Sequence, residues 1–317
     1  MKLSEAYRLA IEKGIENDPR GSDEVQRALS DARREFDSLP EDRKELYDQE
    51  RLWNPYADSR FSCGDGDAEA KRVMWGIDVS SAEVLLADRL REKGQRVDAI
   101  VAHHPTGSSR IRFPEVICLQ NAIYGDAGVP INAVEKLMDA RTQEVLRGVL
   151  GSNYNQAADA ARLLDIPLMN IHTPADNCVE EWMRREFTEN EPRYLRDITD
   201  HLLTVPEFRM AAKFNCWPKI LVGSPDSRCG KVVFKMNGGT SSPKEIYSEL
   251  ARAGVGTLVG MHFPESHMEE ARRNHINLIV SGHMASDSLG VNLVADDWQK
   301  HGIEVVPCSG LLRYSRL

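Results

Sequence analysis

The sequence predicts an α/β protein of two lobes, with largely parallel or mixed sheets flanked by helices, behind an N-terminal helical extension. Three observations lead there. From Arg72 onward, short apolar runs rich in β-branched residues alternate with helix-length amphipathic stretches. Helix-start and helix-stop signals fall between them: Ser80-Ser81-Ala82-Glu83 and Ser242-Pro243-Lys244-Glu245 have the capping-box pattern, and Gly94 and Gly254 suit helix ends. Residues 1–70 lack this alternation and carry charge and helical spacing instead.

Within the extension, Val25, Leu29, Ala32, Phe36 and Leu39 recur at helical spacing and form one apolar face. Ser22 can cap that helix, and Pro40 can open the next. The stretch 54–66 reads as a loop, and Asp65-Gly66-Asp67 as a solvated turn without the rest of a calcium loop. The domain 71–317 begins with strands over 73–79 and 97–102. A helical pattern then covers 131–164, a short strand 167–171, and a helix 179–187. A lobe boundary is expected near residue 205. Beyond it, strands over 220–222 and 231–236 flank the turn Ser224-Pro225-Asp226. Strands at 255–259, 278–280 and 303–306 follow, with helices between them. Such strand–helix–strand units imply parallel pairing. No short internal repeat is visible.

Length and composition narrow the function classes. A chain of 317 residues, 41% hydrophobic, has enough apolar surface for two compact units. A net charge of -9 disfavours nucleic-acid binding and gives no attraction to an anionic membrane. No apolar run reaches membrane-span length, and Met1 to Glu12 has no apolar signal core. The six cysteines form no Cys-x-x-Cys pair, which fits free thiols in a reducing compartment and a cytoplasmic location.

Three chemistry-bearing clusters stand where α/β proteins place their sites, just past strand ends. In Ala102-His103-His104-Pro105, adjacent imidazoles share one site only if the strand ends and turns, which the proline favours. In His172-Thr173-Pro174-Ala175-Asp176, a carboxylate with two oxygens can bridge cations. In Ser281-Gly282-His283-Met284-Ala285-Ser286-Asp287, a helix opening at His283 puts both ligand-type residues on one face. Each cluster has a plainer reading: histidines packed at a strand edge, Asp176 as a helix cap, Asp287 favouring a helix dipole. Together, three imidazoles (His103, His104, His283) and two carboxylates (Asp176, Asp287) suit two divalent ions, with zinc, iron, manganese and nickel all compatible.

These stretches resemble the Nif-three-like family, whose bacterial members are often described as type 2 GTP cyclohydrolase I. The resemblance rests on Val97–Pro105, Asn170–Asp176, Asn237-Gly238-Gly239, Asn277–Asp287 and Gly76-Ile77-Asp78-Val79, and it spans about 72–317. It implies a dinuclear metal centre held by His103, His104, Asp176, His283 and Asp287, two α/β lobes, and a hexameric ring. The chain departs from the family at three places. Asp287 stands where the family has Glu. Thr106–Arg112 is polar and basic where the family is apolar. Met261, His262 and His267 replace an acid followed by a His pair.

Arg110 and Arg112 are candidate holders of a substrate phosphate or carboxylate, against the plainer reading of surface arginines. The loop Gly238–Ser241 could cradle an anion, but it lacks a P-loop lysine. His172 and His267 are candidate proton carriers, with His262 beside the same mouth. Trp182 and Trp217 read as core. The resulting expectation is a metal-dependent hydrolase. It would act through a metal-activated water on a phosphorylated or nucleotide-like anionic small molecule. The rival from another class is a metal-binding or metal-insertion protein, or an interaction scaffold, without turnover.

Overall fold

A computed structural model describes residues 1–317. The chain opens with helices α1 (Leu3–Glu16), α2 (Ser22–Ser38) and α3 (Glu41–Lys44). Then come β1 (Phe61–Cys63), β2 (Arg72–Gly76), α4 (Ser81–Glu92), β3 (Ala99–Ala102), α5 (Ser108–Arg112), α6 (Gln120–Asp126), α7 (Ile131–Leu150) and α8 (Gln156–Leu163). After β4 (Leu168–Asn170) follow α9 (Thr173–Glu189), α10 (Leu195–Leu202) and α11 (Pro206–Ala212). The remainder is β5 (Lys219–Val222), β6 (Lys231–Lys235), α12 (Ile246–Arg252), β7 (Val255–Gly260), α13 (Glu265–Arg273), β8 (Asn277–Val280), α14 (His283–Lys300) and β9 (Glu304–Cys308).

The strands make two mixed sheets, ordered β1-β4-β3-β2-β9 and β5-β8-β7-β6. In each, one edge strand runs antiparallel (β1 on β4, β5 on β8) and the others are parallel. The two sheets therefore repeat one topology, β1–β4 matching β5–β8 in chain order. This duplication lies in topology, so a search for short sequence repeats does not meet it.

The layering follows from strand alternation. On the first sheet, Val73, Trp75, Val101 and Met169 face a core shared with α1, α9 and α14. Met74, Ile100 and Leu168 face the opposite side, against α4 and α8. On the second, Val259 and Ile279 face α9, α10, α11 and α14, while Leu258 and Leu278 face α6, α7 and α12. Helices α9 and α14 thus form a central layer between the sheets. Gly290 permits their contact, because a Cβ there would lie 2.3 Å from the Ala175 carbonyl oxygen.

Several local expectations change. Ser242 does not cap a helix: α12 begins at Ile246. Its hydroxyl donates instead to Gln120 Oε1 (2.6 Å) and lies 2.5 Å from the Tyr124 hydroxyl. The box at Ser80–Glu83 does form. Strands β5 and β6 flank a turn yet do not pair; they sit on opposite edges of their sheet. The loop read over 54–66 contains β1, too short to show alternation. Trp217 is 47% exposed, so it is not core. Strand β9 pairs with β2, returning the end of the chain to the first sheet.

The N-terminal helices divide in role. Helix α1 buries Leu3, Ala6, Tyr7, Ala10 and Ile11 in the first core, and Gly14 lets it press against Pro174 at the start of α9. On α2 only Val25 is buried. No helix is long and apolar enough to cross a membrane.

Candidate metal centre

The parallel strands of both sheets bring their C-terminal ends to one place. Asp78 follows β2, His103 and His104 follow β3, and His172 and Asp176 follow β4. From the second sheet, His262 follows β7, and His283 and Asp287 follow β8. Strands β4 and β8, which match in the two sheets, are followed by the same device. A histidine stands at the helix entry and an aspartate four residues later: His172 and Asp176 on α9, His283 and Asp287 on α14.

The five residues expected as ligands converge. His103 Nε2 lies 3.4 Å from Asp176 Oδ1 and 3.7 Å from Asp287 Oδ1. His104 Nε2 and His283 Nε2 each lie 3.3 Å from Asp287 Oδ2. Three overlapping donor sets have ligand atoms within 4.8 Å of one another: His103/His104/His172, His104/His283/Asp287, and His103/Asp176/Asp287. Asp287 belongs to two of these sets, its Oδ1 facing His103 and its Oδ2 facing His104 and His283.

The imidazoles are oriented from behind. His103 Nδ1 lies 3.1 Å from the Ile171 carbonyl oxygen, His104 Nδ1 2.8 Å from Asp78 Oδ1, and His172 Nδ1 2.6 Å from Asp58 Oδ2. A ring that donates its Nδ1 proton to an oxygen presents a free Nε2 lone pair, as metal-ligating histidines do. The buried atoms His103 Nε2, Asp176 Oδ1 and both oxygens of Asp287 have no hydrogen-bond partner. Leaving such atoms unpaired is costly, and a cation among them removes the cost. The buried His/Asp cluster fits a metal site.

The electrostatics differ from residue to residue, and His172 is held in its charged form. Burial raises the Asp176 carboxyl to about 6 despite His172 and His103. Burial also works to raise Asp287, but His103, His104 and His283 override it and hold that carboxyl well below the ordinary range. Burial would lower His172; Asp176 and Asp58 outweigh it and lift the imidazole to about 9. His283 is pushed down to about 4 by burial, leaving it neutral and able to coordinate.

A cavity of about 500 Å³ opens beside the cluster, lined by His104, His172, Asp176, His283 and Asp287 from one side. Lys235, His262 and His267 line it from the other. Arg110 also lines it, exposed and without an acidic partner. Arg112 does not. It pairs with Asp48 and with Glu115 (2.9 Å), which turns the guanidinium away. His267 is buried, its Nδ1 3.3 Å from the Tyr247 hydroxyl.

Two groups here had no sequence signal. Asp58 is fully buried, accepting from Thr173 Oγ1 (2.7 Å) besides its contact with His172, while Ser59 Oγ accepts from the His172 amide (3.0 Å). An acid in a polar loop looks solvated until its tertiary contacts are known. Lys235 ends a strand whose pattern marks it only as polar.

A solved structure of a NIF3 superfamily protein from Sphaerobacter thermophilus is 34% identical. It matches over 80% of this chain and 92% of its own, with a TM-score of 0.72. This chain belongs to the NIF3 superfamily. Fainter likenesses are to reduced HcgD from Methanocaldococcus jannaschii (12% identity, 78% of this chain and 87% of that one, TM-score 0.48) and to TTHA1606 from Thermus thermophilus (16%, 80% and 87%, 0.45). No family model matches the sequence, and no curated protein matches it. Family membership agrees with the resemblance carried by the His-His-Pro and Gly-His-x-x-Ser-acid stretches.

Proposed function

We propose that this NIF3 superfamily protein holds two divalent cations and acts as a hydrolase on a phosphorylated or nucleotide-like small molecule. One observation carries the reading: unpartnered, buried imidazole and carboxylate atoms converge at the wall of a cavity large enough for such a substrate. A storage or structural site tends to close its coordination sphere, whereas this cluster borders open space.

His103, His104, His283, Asp176 and Asp287 would hold the ions. When bound, such ions supply Lewis acidity and lower the pKa of water. The rest is done by the chain itself. Asp58 holds the His172 proton at Nδ1 and aims Nε2 at the cluster, placing His172 as a proton carrier. Burial, reinforced by the positive charge of Lys235, pushes His267 down to about 4, so that ring stays neutral at the cavity wall and is a weaker base than His172. Arg110, free of any carboxylate, offers a guanidinium fork to a substrate anion at the mouth.

The test pairs elemental analysis with turnover. Purified protein is expected to carry close to two metal equivalents and to hydrolyse some member of a phosphoester and nucleotide panel. Activity should be lost on chelation and regained on metal return. His283→Ala and Asp287→Asn should lose both metal and activity. Stoichiometric metal without turnover across the panel would favour the non-catalytic metal-binding role.

A further inference from the structure

The second lobe's side of the cavity has a charge arrangement that the metal cluster does not use. Lys235 ends β6 at the cavity wall. Its Nζ donates to the Thr240 carbonyl oxygen at 2.5 Å and forms no ion pair. The nearest influential acids, Glu180 and Asp176, stand beyond ion-pair reach, and Glu180 Oε2 is engaged by the Met236 amide at 2.5 Å. An ammonium has three donors, and one is accounted for.

The loop that follows is polarised by its own hydrogen bonds. Gly238 and Gly239 have φ of 77° and 63°, the left-handed region that glycine tolerates. Gln120 Nε2 donates to the carbonyl oxygens of Gly238 (3.2 Å) and Thr240 (3.1 Å). Arg141 Nε donates to the Ser241 carbonyl oxygen (3.1 Å). The carbonyl oxygens of Gly238, Thr240 and Ser241 are therefore occupied by donors from β6, α6 and α7. The amides of Gly238, Gly239, Ser241 and Ser242 meet no acceptor. A loop with engaged carbonyls and free amides presents net positive character, as anion-binding backbone nests do. Gly239, Thr240, Ser241 and Ser242 line the same cavity as Lys235.

We propose that Lys235 and the 238–242 loop form an oxyanion subsite that holds a phosphate group of the substrate, while the remainder of the molecule extends to the His/Asp cluster. A phosphate matches this array better than a carboxylate, having three terminal oxygens for an ammonium and several amides. The assignment rests on the reading of the cavity as a substrate site. It places the anion-recognising charge on the second lobe and the ligand cluster mainly on the first, so one substrate spans both.

The experiment titrates inorganic phosphate into full-length protein by calorimetry, zinc-loaded and after chelation. Wild type is expected to bind phosphate in both states and to prefer it to acetate. Lys235→Met should weaken phosphate binding about tenfold with zinc stoichiometry unchanged, and Lys235→Arg should restore most of the loss. A second measurement serves if the methionine variant folds poorly: in lysine-labelled wild type, the ε-methylene NMR signal absent from Lys235→Arg should move on phosphate addition. Wild-type affinity in Lys235→Met, an unmoved Lys235 signal, equal binding of acetate, or phosphate binding that vanishes with zinc would each overturn the subsite. Lys235-dependent phosphate binding in protein that takes up no zinc would instead uphold the subsite and refute the metal reading.

Discussion

Asp58 is the side chain through which the N-terminal segment reaches the His/Asp cluster. It is held by His172 Nδ1 and Thr173 Oγ1 inside the protein. Replacing it by asparagine leaves the imidazole a neutral amide oxygen in place of a charged acceptor. Asp58→Asn is expected to weaken metal binding roughly 10–100-fold in a chelator competition, with the far-ultraviolet spectrum unchanged. Wild-type affinity would show that His172 orientation does not matter to the ions. Glu180 supports a prediction about pH. Burial lifts its carboxyl to about 7 from an ordinary 4.5, so the folded state favours the protonated form. Its contribution to stability is complete below the unfolded value and fades as pH rises through about 7. Glu180→Gln stays neutral throughout. Between pH 5 and pH 8 the variant should gain on wild type by on the order of 2 kcal/mol in denaturant titrations, and a pH-independent difference would refute the assignment. At this scale the sequence was legible where chemistry is local. A His-His-Pro at a strand end announces itself. Asp58, Asp78 and Lys235 gain their roles from partners distant in sequence or from a cavity that no local pattern describes.

At the scale of elements, the site depends on how closely α9 and α14 approach. Asp176 is in the first turn of α9 and Asp287 in the first turns of α14, and Gly290 meets the carbonyl of Ala175. Gly290→Ala must push the helices apart, since the obstructing atom is backbone. The expected cost is ~1–3 kcal/mol by chemical denaturation, together with reduced metal occupancy, because the two aspartates move with their helices. Full metal content at wild-type stability would show that the contact does not set their spacing. Element types were readable from alternation, caps and glycine stops, and the His-x-x-x-Asp spacing was readable twice. Pairing was not. Strands β5 and β6 are neighbours in sequence and opposite edges in space, because β8 and β7 are inserted between them. The Ser242–Glu245 box is defeated by Tyr124 and Gln120, which compete for the Ser242 hydroxyl.

For the whole molecule, the proposed metal binding would be coupled to folding. The candidate donors after β3 and on α9 and α14 meet only in the folded chain, so ions held there would favour the native state. Zinc at about 100 times its dissociation constant should stabilise the protein by about 2.7 kcal/mol, seen as a raised melting temperature that a chelator reverses. No shift in wild type, with the same null result in His283→Ala, would separate the cluster from metal binding. From the family resemblance we also propose self-association into a hexamer. Sedimentation velocity is expected to show one species of six chains, and a monomer at micromolar concentration would remove that proposal.

What the sequence determined by itself was the supply of parts: alternating strands and helices, imidazoles and carboxylates at strand ends, and helix entries that put His283 and Asp287 on one face. These follow from interactions among residues a few positions apart, which a linear pattern records. The tertiary structure decided which parts meet. Two repeats of one sheet topology pack around α9 and α14, so His103 and His283, 180 residues apart in the chain, meet at one cluster. It also decided that Arg112 is spent on Asp48 while Arg110 stays free. Burial and long-range partners set those outcomes, and neither is a property of neighbouring residues.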